Sequence, residues 1–187
     1  MKSEFHAAKA ATIDSFVGFA DGGAFPQWPL EIFLKVSNLC DLKCAMCHTF
    51  SALNDKRRER VRAQERGFLE LERVLEPLTP LLEHALQVHA FGFGEPTIHP
   101  QFRDLLERLT RYEVMLDFFT NGMHLTQELC EFLVEQRVWS ITLSFSGATK
   151  EEYENIYLGG DFDRVLQGIR RLADAKARAG AVYPNPA

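Results

Sequence analysis

Cysteine is scarce in this chain, four among 187 residues, and that scarcity gives their placement weight. Long apolar runs are missing too. None approaches the ~18–20 residues that a membrane-crossing helix needs, so no membrane role is expected. Nor does a leader-like charged and apolar stretch open the sequence, which argues against disulfides and for a reducing, cytoplasmic setting. There is no long basic block: 21 lysines and arginines face 26 acids, a net charge of −5. The densest basic run, KRRERVR at 56–62, reads as a solvated face, so no nucleic-acid partner is indicated. Low-complexity segments and composition breaks are absent as well. With 46% apolar and 25% charged residues, the composition is that of a soluble globular protein with a sizeable core.

What is present is concentrated at residues 40–47, CDLKCAMC. Cys40, Cys44 and Cys47 have the spacing C-x3-C-x2-C, which delivers three thiolates from one short loop. Such soft ligands favour zinc, copper(I) or an iron–sulfur cluster over hard cations. A four-iron cluster normally takes four cysteines. Three would leave one iron open to a small molecule. The competing reading is a closed structural zinc site, with His48 completing a Cys3His set. Adjacent Cys47 and His48 would strain to share one tetrahedron, so the open cluster is preferred.

The rest of the chain alternates strands with helices. Residues 1–24 read as a helix ending at Asp21-Gly22-Gly23, with Phe5, Ile13, Phe16 and Val17 as one apolar stripe packed on the domain. Phe25 to Pro29 forms an extended lead-in. EIFLKVSN at 31–38 is the first strand, and the cysteines follow its C-terminal end. A polar excursion spans 50–66, and Phe68, Leu71, Val74, Leu75 and Leu78 recur at helical spacing. LQVHAFGF at 86–93 is a second strand, apolar enough to be buried on both faces. A helix over 99–112 precedes the third strand, EVMLDFF at 113–119. Thr126 is placed to N-cap the next helix, and VWSITLSF at 138–145 is the fourth strand. Thr149 and Glu152 form a capping-box pattern. Phe162, Val165, Leu166, Ile169 and Leu172 mark the last main helix. This rhythm specifies an α/β fold, a parallel sheet built from β/α units with right-handed crossovers. Residues 1–29 are expected as an N-terminal helical extension and 30–187 as the core.

In parallel α/β folds chemistry gathers at the C-terminal ends of strands. There stand the cysteines, then Gly92-Phe93-Gly94-Glu95-Pro96, then Thr120-Asn121-Gly122, then Ser144-Phe145-Ser146. Glycine permits close backbone approach, Glu95 offers a carboxylate for an ammonium group, and the serines offer hydroxyls for a ribose. Cys130, mid-helix, reads as a buried apolar side chain.

From Trp28 to Leu172, the order CDLKCAMC, GFGEP, TNG, SFSGATKEEYENI resembles the radical S-adenosylmethionine (radical SAM) superfamily, especially members carrying a C-terminal SPASM domain. The resemblance implies a partial (β/α) barrel in which Cys40, Cys44 and Cys47 ligate a [4Fe–4S] cluster and S-adenosylmethionine (SAM) chelates the fourth iron. It implies SAM contacts from Met46 near the adenine, from Glu95 with the Gly94 and Pro96 backbone at the amino group, and from Asn121, Ser144 and Ser146. Reductive cleavage of SAM would give a 5′-deoxyadenosyl radical that takes hydrogen from a substrate, with electrons from a small flavodoxin- or ferredoxin-type protein. The alternative is a non-catalytic iron–sulfur module for electron transfer or partner binding. Phe93 stands where the family motif has glycine, Ser146 where aspartate is common, and Tyr157 near a usual arginine. The family core has six β/α units and four are legible, so the remaining strands are expected from downstream sequence or another chain. The substrate and the residues that act on it are not specified.

Overall fold

The computed structural model describes residues 5–51, 53 and 67–186; the basic run at 56–62 and most of the polar excursion lie outside the described residues. The elements follow the expected alternation. They are α1 (His6–Ala20), β1 (Glu31–Phe33), α2 (Leu71–His84), β2 (Gln87–His89), a 3-10 turn (Pro96–Ile98), α3 (Phe102–Thr110) and β3 (Met115–Thr120). After these come α4 (Gln127–Glu135), β4 (Ser140–Leu143), α5 (Lys150–Ile156), α6 (Phe162–Ala179) and β5 (Asn185–Pro186).

The strands form one parallel sheet in sequential order, β1 to β5, with β1 and β5 at opposite edges. It is a partial β/α barrel, not closed. The two-residue β5, pairing Asn185 with Ser140 and Pro186 with Ile141, adds to the four strands legible in the sequence. Proline has no N–H to donate, which an edge strand tolerates.

Alternation along the strands separates two faces. Ile32, Leu34, Val36, Val88, Ala90, Leu116, Phe118 and Ile141 pack outward into one core with α2, α3 and α4. The concave face carries the intervening residues, in register as Phe33–His89–Asp117–Ser140 across four strands. This corrects the expectation that the second strand is buried on both faces. Helices cover only its outer side; Gln87, His89 and Phe91 are half-buried and Phe93 is 55% exposed. On the concave side Phe33 stacks on His89 at 4.2 Å between ring centroids. The His89 Nδ1 meets the Asp117 carboxylate at 2.8 Å, and Phe91 meets Phe119 edge-on at 4.4 Å.

The caps form where the sequence placed them. Thr126 Oγ1 accepts the Leu129 N–H at 3.2 Å. Thr149 and Glu152 make the reciprocal capping box, which satisfies otherwise orphaned helical N–H groups. The docking of α1 differs from expectation. Ile13 and Val17 are exposed, and the buried residues of α1 are Lys9 and Thr12. Lys9 Nζ donates to the carbonyls of Leu82 and Ala85, at the C-terminal end of α2, where carbonyls lack helical partners. Thr12 Oγ1 lies 3.3 Å from His84 Nδ1. The helix is held by hydrogen bonds to a helix end, and of the expected stripe Phe5 packs on Tyr112 at 5.6 Å between ring centroids and Phe16 is half-buried.

Candidate metal and cofactor site

The cysteine loop leaves the end of β1 and crosses the C-terminal rim. Leu42, between Cys40 and Cys44, is its anchor. It is buried in a small core with Met123, Tyr153, Tyr157 and Val165, and Cys40 and Cys44 pack against that core. Backbone pairing holds the same stretch from the far side: Lys43 N–H donates to Leu158 O at 2.9 Å and Ala45 N–H to Ile156 O at 2.8 Å. Cys47 Sγ accepts the N–H groups of Thr49 at 3.4 Å and Phe50 at 3.2 Å. Two amides aimed at one sulfur suit a thiolate better than a neutral thiol.

A second latch comes from the loop after β3. Asn121 Nδ2 donates to Asp41 Oδ1 at 2.8 Å and His124 Nε2 lies 2.9 Å from Asp41 Oδ2. Burial pushes the Asp41 carboxyl up, but hydrogen bonds from His124, Asn121 and its own backbone outweigh it and hold the group below the usual range.

The GFGEP segment is stitched to the lead-in of the cysteine loop. Gly94 N–H donates to Ser37 O at 3.2 Å and Glu95 N–H to Leu39 O at 2.8 Å. A Cβ on Gly94 would stand 2.2 Å from Leu39 O, so only glycine fits. Glu95 is 3% exposed. Its Oε1 accepts from the Thr97 N–H at 3.1 Å, the Thr97 hydroxyl at 2.6 Å and the Thr120 hydroxyl at 2.7 Å. Its Oε2 accepts from the Asn121 N–H at 2.7 Å. All four donors are neutral. Burial therefore pushes the carboxyl up, against the pull of those hydrogen bonds.

The remaining candidates divide. Met46 is exposed on the loop and Pro96 is buried at the start of the 3-10 turn. Asn121 spends its polar groups inside the protein: N–H on Glu95, Nδ2 on Asp41, and Oδ1 on the Met123 N–H at 2.9 Å. Ser144 is half-buried at the end of β4, its hydroxyl unpartnered among the described residues. Ser146 Oγ lies 3.2 Å from Tyr157 Oη, so the two departures from the family pattern meet as a neutral pair. His48 is exposed. Cys130 is fully buried in α4, as expected.

These residues fit a sulfur-ligated, cationic group. Burial pushes Cys40 up to about 12 and Cys44 up to about 11, the latter aided by Cys47, so positive charge has to come from what they bind. Among the described residues no three His, Cys, Asp or Glu side chains converge on a point as ligands of one ion.

The radical SAM superfamily model matches residues 34–183. The chain belongs to the radical SAM superfamily. It is 29% identical over 147 residues to the mycofactocin maturase MftC of Mycobacterium tuberculosis, 79% of this chain and 35% of that protein. The chain thus spans about a third of the length of the curated relatives it matches. Its fold is similar to that of Streptococcus suis SuiB bound to S-adenosylmethionine, with a TM-score of 0.63 and 20% identity over 85% of this chain and 35% of that one. SuiB has also been solved bound to its precursor peptide SuiA. The anSMEcpe structure with bound AdoMet gives a TM-score of 0.61 and 26% identity over 79% of this chain and 40% of that one.

Sequence reasoning found the cysteines, Glu95 and the rim segments. It gave no role to Asp41, Leu42, Thr97, His124 and Tyr153, which pack against or hydrogen-bond these groups. One signal was available for Leu42, an apolar residue set between two ligands in a polar loop.

Proposed function

We propose that residues 30–187 are the cofactor-binding part of a radical SAM enzyme and residues 1–29 its docked N-terminal extension. One observation carries the reading: three cysteines on a doubly latched rim loop, stitched to a buried carboxylate that has no cation among its partners. Cys40, Cys44 and Cys47 would hold a [4Fe–4S] cluster. Glu95 has neutral donors on both oxygens and, on Oε2, acceptor capacity to spare. A SAM ammonium would supply the charge that its burial calls for. When bound, the cluster and SAM supply a one-electron reductive cleavage that yields a 5′-deoxyadenosyl radical able to take hydrogen from a substrate.

The chain's own residues bind and orient. Gly94 brings the Glu95 segment against the loop, Pro96 stiffens its exit, and Met46 and Ser144 would contact the cofactor. Asn121 and Ser146 act through Asp41 and Tyr157. The concave wall of Phe33, Phe91 and Phe119 suits an apolar part of the substrate and excludes water from it. The names of MftC, a maturase, and of SuiB with its precursor peptide favour a peptide substrate. A small flavodoxin- or ferredoxin-type donor in a reducing cytoplasm would supply the electron. No helix among the described residues is long and apolar enough to cross a membrane.

Anaerobic reconstitution tests the reading. The protein should turn brown, bind about four irons per chain, and give an EPR signal after dithionite that changes when SAM is added. A colourless protein holding one zinc overturns it. A cluster whose signal ignores SAM favours an electron-transfer module.

A further inference from the structure

Two buried side-chain polar atoms among the described residues lack a hydrogen-bond partner, His89 Nε2 and Tyr153 Oη. The first already faces an acceptor, the Glu31 carboxylate 3.4 Å away. The second has no such group within hydrogen-bond distance. Tyr153 is 0% exposed, and its ring is fully engaged, with Tyr157 at 4.7 Å, Phe145 at 5.0 Å and Phe162 at 5.7 Å between centroids. Phenylalanine would make the same ring contacts without leaving a hydroxyl dry, and a buried unsatisfied hydroxyl costs stability. The stacked neighbour Tyr157 differs, since its hydroxyl is paired with Ser146.

The location gives the hydroxyl a purpose. Tyr153 belongs to the small core that buries Leu42 and against which Cys40 and Cys44 pack. Neutral thiols are weak acceptors, whereas thiolates and the sulfides of a cluster accept well. We propose that Tyr153 is a hydrogen-bond donor to the sulfur-rich group held by Cys40, Cys44 and Cys47, unsatisfied until that group is bound, and that it tunes how readily the group takes an electron. The assignment rests on the cluster reading above. A donor to cluster sulfur favours the reduced, more negative state, so it raises the reduction potential.

The test is Tyr153→Phe beside Tyr157→Phe. In the metal-free chain, chemical denaturation should show Tyr153→Phe at least as stable as the parent, and Tyr157→Phe less stable because Ser146 loses its partner. After anaerobic loading, Tyr153→Phe should bind as much iron as the parent. Its midpoint potential should be more negative, and it should lose iron to a chelator at least about tenfold faster, as expected for a lost hydrogen bond to a charged acceptor. Loss of metal-free stability in Tyr153→Phe would mean that the hydroxyl has an internal partner, and would overturn the assignment. An unmoved potential with normal iron uptake overturns it alone. Failure of the parent itself to take up iron overturns the cluster reading and this assignment with it.

Discussion

Asn121 and Asp41 are 80 residues apart in sequence and joined by a 2.8 Å hydrogen bond from Nδ2 to Oδ1. The same asparagine gives its backbone N–H to Glu95. One residue therefore ties the cysteine loop to the carboxylate assigned to SAM. A hydrogen bond to a charged acceptor contributes roughly 1.5–3 kcal/mol. Asp41→Ala and Asn121→Ala should each destabilise the metal-free chain, and their effects should couple by more than about 0.5 kcal/mol in a double-mutant cycle. Denaturant titrations of the four proteins measure this, and additive losses would show that the latch carries no energy.

Lys9 makes the stability of the metal-free chain depend on pH. Burial lowers its pKa from 10.5 to about 8, with the Glu113 charge pulling weakly upward. The unfolded chain holds the proton up to its normal pKa, so between about pH 8 and 10.5 it binds more protons than the folded chain, and stability rises with pH. Lys9's own share of the change from pH 7 to pH 9 should be a gain of about 1.4 kcal/mol. The thiols of Cys40, Cys44 and Cys130, held up by burial, act in the opposite sense once the unfolded thiols begin to ionise at about pH 8.5, so the lysine is read from the difference between parent and variant. Lys9→Met should lose the lysine's gain, falling behind the parent by about 1.4 kcal/mol between pH 7 and pH 9. An unchanged slope would mean that Lys9 is not its source.

The fold was legible wherever burial follows periodicity. Ile32, Leu34 and Val36 alternate because helices cover one face, and Phe102, Leu105, Leu106 and Leu109 recur because α3 turns one side inward. Two kinds of position resisted the same reading. The LQVHAFGF strand is apolar on both sides, yet its concave side borders open space, and hydrophobicity does not distinguish a core from a binding wall. In α1 the burial falls on Lys9 and Thr12, whose partners are helix-end carbonyls and a histidine ring, and a search for apolar stripes passes over such groups.

The site divides in the same way. Ligand spacing is local, so the cysteines announce themselves. Hydrogen-bonded supports join residues far apart in the chain: Thr120 reaches Glu95, and His124 reaches Asp41. Each is an ordinary loop residue until the fold brings it to the rim. The unusual residues at 146 and 157 looked like two separate losses and prove to be one hydrogen-bonded pair.

Glu95 supplies the last prediction, and its geometry dictates which substitution to make. Alanine would remove the acceptor for Thr97, Thr120 and Asn121 together. Each orphaned buried donor costs about 1–3 kcal/mol, so Glu95→Ala should unfold at much lower denaturant and reveal little about SAM. Glutamine keeps the volume and one carbonyl oxygen but removes the charge. Glu95→Gln should therefore still fold and still bind iron at Cys40, Cys44 and Cys47. Losing a charged hydrogen bond to the SAM ammonium should weaken SAM binding by more than about tenfold. Calorimetric titration of the loaded protein with SAM measures this. Equal affinity in parent and variant, with equal iron content, would leave Glu95 as a structural clasp between the GFGEP segment and β3, and the ammonium site would have to be sought elsewhere on the rim.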